Sequence, residues 1–134
     1  MTKDQIEKIR VEILCNKEPA LRLFLYKDGT MERYGSGSTP INEDFVLGLI
    51  DKKIFEQLVA DFDEKLFNKE GVYDHADKSG IPITYSLIFI GQKPNFIAYE
   101  FRLGAETKEV SPLLPYIDKF VSKAVALTDK WYKK

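Results

Sequence analysis

Residues 20–34, ALRLFLYKDGTMERY, constrain the fold more than any other stretch of this chain. Before the Asp28-Gly29 pair, Leu21, Leu23 and Leu25 alternate with Phe24 and Tyr26. A period of two sends successive side chains to opposite faces of a strand. Asp-Gly between two such runs is a strong hairpin signal, because glycine supplies the positive φ that tight turns need. TMERY then reads as the return strand, and the run GSGST followed by Pro40 ends it. Both sides of the outgoing strand are apolar. Either that strand is central and covered twice, or one of its sides is an interaction surface.

The remaining chain fits around this hairpin. Ile9, Val11, Ile13 and Cys15 alternate with Lys8, Arg10, Glu12 and Leu14, which predicts a half-buried strand. A helix competes, since Ile6, Ile9 and Ile13 also fit a 3.6-residue period. Asn16-Lys17-Glu18-Pro19 is turn chemistry. DFVLGLI, residues 44–50, is a short apolar run that suits a strand or an early helical turn. From Lys52 to Phe67 the spacing predicts a helix, with Ile54, Phe55, Leu58, Val59, Phe62, Leu66 and Phe67 on one stripe. Asp51 suits its N-cap and Gly71 its stop. PITYSLIFIG and FIAYEFRLG, joined by GQKPN, read as a second hairpin, with KEVS as a short extension. Pro112 and Pro115 introduce a last helix striped by Ile117, Phe120, Val121, Ala124, Val125, Thr128, Trp131 and Tyr132. The expected architecture is α+β: a two-layer sandwich, with a mostly antiparallel sheet of about five to seven strands and two main helices on one face. Residues 1–134 form a single domain in this reading.

Composition narrows function by exclusion. Apolar residues make up 44% of the 134, with nine Phe and seven Tyr, enough for one core. The formal net charge of −1, with both signs interspersed, exerts no long-range pull on nucleic acid or anionic lipid. Lys130, Lys133 and Lys134 gather at the end of the last helix, where the macrodipole favours cations. The single cysteine, Cys15, cannot staple a fold. MTKDQIEKIRVEILC has no basic region followed by an uninterrupted apolar run, so a soluble, cytoplasmic protein is expected, with no membrane partner.

The aliphatic strand, LYKDGTMERYG, the xxFxxLxxxFxxxLF helix, the aliphatic hairpin and the final amphipathic helix together resemble a family of small uncharacterised bacterial α+β domains. The likeness covers residues 20 to 132. It implies the fold, no established activity and no site residue. Many members of that family look exported, and the lack of a leader pattern here is a departure from them.

Candidate chemistry centres on 71-GVYDHADKSGIP-82, which carries the sole histidine. Asp74, His75 and Asp77 are good ligand types for divalent metals, but such a site needs three or four convergent ligands and no second histidine is present. A His–Asp catalytic pair needs a nucleophile, and no GxSxG elbow occurs. The same residues suit a turn-rich connector between the first helix and the second hairpin. Cys15 lies on the apolar side of its strand, where a thiol is usually inert. Ser36 and Ser38 lack the lysine of a phosphate-binding loop. Asp61, Asp63 and Glu64 read as a solvated helix face, with Asp61 and Lys65 spaced for an ion pair. No cofactor, metal or catalytic residue is assigned. The favoured function is a non-enzymatic binding or interaction module. It uses an aromatic-bearing sheet face, with Phe24, Tyr26, Tyr34, Tyr85 and Tyr99 as contact residues for a protein partner or self-association. The alternatives are a small-ligand pocket between sheet and helices and a small hydrolase or metal enzyme using His75.

Overall fold

A computed structural model describes residues 3–15, 18–36, 46–48, 52–69, 71–73, 83–92, 96–104 and 113–132. After a 3-10 turn at Lys3–Gln5 come β1 (Lys8–Cys15), β2 (Glu18–Tyr26), β3 (Met31–Tyr34) and β4 (Val46–Gly48). Then follow α1 (Lys52–Asp61), a 3-10 segment at Glu64–Lys69, β5 (Gly71–Tyr73), β6 (Ile83–Gly91), β7 (Ile97–Gly104) and α2 (Leu113–Tyr132). Five strands of four to nine residues form an antiparallel sheet, and two three-residue strands extend its edges, giving the order β4-β3-β2-β1-β6-β7-β5. The α+β character and the antiparallel sheet with two helices agree with expectation.

The hairpin forms where the Asp-Gly pair predicts it. Gly29 has φ 97, its amide donates to the Tyr26 carbonyl, and the Thr30 amide donates to Asp28 Oδ1. Any residue with a Cβ resists that backbone angle. The strand reading of residues 8–15 prevails over the helical one because β1 is the centre of the sheet, paired with β2 and β6 along its whole length. Its register against β2 slips at Ile13/Leu14, where Leu14 meets Pro19. A bulge tolerates proline because no ladder donor is required there.

Ile9, Val11, Leu21, Leu23, Leu25, Leu87, Phe89 and Phe101 are fully buried. They share one core with Phe55, Leu58 and Phe62 from the first helical region and with Ile117, Phe120, Val121 and Ala124 of α2. Phe62 is the hub: its ring centroid lies 4.5 Å from Phe89, 5.3 Å from Phe67, 5.6 Å from Phe120 and 5.7 Å from Phe101. Pro115 sits in the first turn of α2, where its missing N–H removes no intrahelical bond.

Some expectations change, and one open alternative is settled. The helix expected to run to Phe67 stops at Asp61 and resumes as a 3-10 segment. The Tyr116 hydroxyl intervenes there, donating to the Asp61 carbonyl and accepting from the Asp63 amide, while Asp63 Oδ1 accepts from the Lys65 amide. Asp61 therefore has no Lys65 one turn ahead and instead pairs with Lys123 of α2. The connector beginning at Gly71 opens with a strand, since β5 runs parallel to β7. Val46–Gly48 is an edge strand beside β3, which settles the strand-or-helix alternative for those three residues. Asp51, Pro112 and the KEVS segment lie outside the described residues.

Candidate functional site

Because side chains alternate along each strand, the residues between the core positions form a second sheet face. The registers order that face into rows. One row is Tyr34, Arg22, Glu12, Ser86 and Arg102; the next is Glu32, Phe24, Arg10, Ile88 and Glu100; a third is Tyr26, Lys8, Ile90 and Ala98. Phe24 and Tyr34 meet edge to face at 6.4 Å between centroids. Lys8 Nζ stands 4.8 Å from the Phe24 centroid and 5.1 Å from that of Tyr26, and the Arg10 guanidinium is 5.7 Å from Phe24. Cations over aromatic faces contribute about 0.5–1 kcal/mol each where exposed. Between the rings and β6 lies a carboxylate: Glu12, only 7% exposed, accepts from Arg10 Nη2 at 2.9 Å and faces Arg22 Nε at 3.5 Å. Burial is the main cause holding the Tyr26 hydroxyl proton above the ordinary tyrosine range, and its hydrogen bond to the Glu32 carboxylate adds to it. The surface is thus aromatic and charged, with its rings half-buried under cation stems.

The five expected contact tyrosines and phenylalanines divide between the two faces. Phe24, Tyr26 and Tyr34 come together on the second face. Tyr85 and Tyr99 share parity with Leu87 and Phe89 and pack against the core. Tyr99 stacks on Phe67 at 5.1 Å, and Tyr85 meets Asp118 of α2. Burial first, and the Asp118 charge second, raise the Tyr85 value.

Cys15 is half-buried at the end of β1. The Ser36 carbonyl accepts from Arg33. Asp74, His75, Asp77 and Ser38 lie outside the described residues. Among the described residues, no group of three or more His, Cys, Asp or Glu is placed to hold a metal, and no helix is long and apolar enough to cross a membrane. The residues that sequence reasoning passed over are Lys8, Arg10, Glu12, Arg22 and Arg102. Their signal was present in the alternation that placed them opposite the aliphatic positions. Compared with known proteins, the chain matches no family model and no curated relative.

Proposed function

We propose that this protein is a non-enzymatic interaction module that binds a protein partner through the second face of its sheet. In this reading the architecture is a two-layer sandwich, with α1 and α2 together on the core side and the aromatic face turned to the partner. The observation that carries it is the cluster of Phe24 and Tyr26 under Lys8 and Arg10, with Tyr34 edge-on to Phe24, on the side away from the core. Half-buried aromatics with an arginine rim are a favoured composition for contact surfaces, since they offer area at little entropy cost. The packing around Phe62 supports this over a ligand pocket, because five aromatic rings fill the space where such a pocket belongs. The resemblance to small bacterial domains over residues 20 to 132 belongs to the same proposal.

Affinity capture from the native host cell, quantified by mass spectrometry, tests it. Tyr26→Thr and Tyr34→Thr keep β propensity while removing ring area. A partner retained by the parent chain and by Glu56→Ala, at an exposed position of α1, but lost from both threonine variants, supports the reading. An identical protein set from all four chains contradicts it.

A further inference from the structure

On the second face, two of the arginines already have a carboxylate. Glu12 is held by Arg10 at 2.9 Å and by Arg22 at 3.5 Å. Arg102 stands in the same row, beyond Ser86, and its Nε is buried with no hydrogen-bond partner. It is the only buried side-chain nitrogen or oxygen so placed among the described residues. The row explains this. Its single carboxylate is claimed on β1, and Ser86, itself buried, separates Glu12 from Arg102. A guanidinium stays charged at any working pH, and a buried donor left unmade is unfavourable.

We propose that Arg102 is the anchoring point on this face for a lone carboxylate side chain of a polypeptide partner. The inference rests on the interaction reading above and names the partner's chemistry. The planar fork of arginine matches the two oxygens of a carboxylate, and the residue as a whole is half-buried, so the incoming group meets a partly dehydrated cation. A polypeptide fits better than a nucleic acid. Glu12, Glu32 and Glu100 are interspersed on the same face and repel a continuous run of phosphates. A single carboxylate flanked by apolar side chains instead places a neighbour over Ile88, on the adjacent strand.

The test is a titration of the whole chain followed through the arginine side-chain Nε–Hε resonances by NMR. The probe is a capped peptide with one glutamate flanked by leucines, with its glutamine analogue of equal length and a single-stranded oligonucleotide as comparisons. The glutamate peptide should shift the Arg102 signal saturably, while the glutamine peptide leaves it in place. Arg102→Lys, which keeps the charge and removes Nε, should weaken binding by roughly tenfold or more. No saturable shift in the parent chain, an unchanged affinity in Arg102→Lys, or tighter binding of the oligonucleotide overturns the proposal. If capture of the cellular partner survives Arg102→Lys but is lost in Tyr26→Thr, the interaction face stands and the Arg102 anchor falls. If neither substitution alters capture, the interaction reading itself falls.

Discussion

Arg33 is a charge in the core, and its acceptors account for that. Its side chain is fully buried on the core side of β3. Nη1 donates to Thr128 Oγ1 at 2.8 Å and the Val125 carbonyl at 3.2 Å; Nη2 reaches Asp129 Oδ1 at 2.7 Å; Nε donates to the Gly35 carbonyl at 3.1 Å. A guanidinium so enclosed ties the second half of α2 to one end of the sheet. Arg33→Met deletes these bonds and leaves buried acceptors unmade, so a loss of about 3–5 kcal/mol is expected in urea denaturation. Asp129→Asn, at a partly exposed carboxylate, should cost only about 1 kcal/mol. Near-equal losses from the two substitutions contradict this account of Arg33. Half of this lock was readable beforehand. Met31 and Arg33 share a strand face, and Thr128 falls within the apolar stripe of the last helix. A polar residue in each apolar position hints at a buried pair, but alternation alone does not say which positions meet.

Legibility at the scale of elements follows how strongly each element depends on its own sequence. β2, β3, β6 and β7 carry enough alternating residues to declare themselves, and Asp28-Gly29 joins the first two. The end of α1 was hidden because Phe62, Leu66 and Phe67 keep a helical period through a helix that stops at Asp61. The stop depends on Tyr116, fifty-odd residues away, which no local pattern reveals. β5 is too short to show a period, and its parallel pairing with β7 is a tertiary fact. The candidate face was half legible for a related reason. Alternation separated Tyr85 from Ser86 and Ile88, but which side meets the helices is decided by packing. Two substitutions test the elements directly. Gly29→Ala, at φ 97, should cost about 1 kcal/mol or more in the hairpin. Phe62→Ala, which empties the hub of the aromatic cluster, should cost about 3–5 kcal/mol. Both are read by chemical denaturation, and a near-neutral Phe62→Ala contradicts the core described above.

For the whole molecule, the ionisation of tyrosine links the fold to pH. Burial raises Tyr85 and Tyr116, with Asp118 adding to the first and Asp63 and Asp61 to the second, while the hydrogen bond from the Asp63 backbone opposes the shift in Tyr116. The native state therefore keeps these protons to a higher pH than the unfolded chain does. Their contribution to stability is complete below the unfolded value near 10 and is lost as pH rises through the raised native values. Denaturation at about pH 8 and about pH 11 should show the loss, and Tyr85→Phe should reduce it. An identical pH dependence in Tyr85→Phe contradicts the assignment.

The same molecule has two unlike sheet faces, one whose residues share a core with Phe55 and Leu58 of α1 and Ile117 and Phe120 of α2, and one carrying rings and charges in rows. Site-specific photo-crosslinking in the native host cell asks most directly whether the second face is the binding surface. A photoreactive phenylalanine analogue replaces Tyr26, Tyr34, Tyr99 or Glu56 in turn. Adducts to one protein from positions 26 and 34, with none from positions 99 and 56, are the predicted result. Adducts from position 56 on α1, with none from 26 and 34, contradict the account.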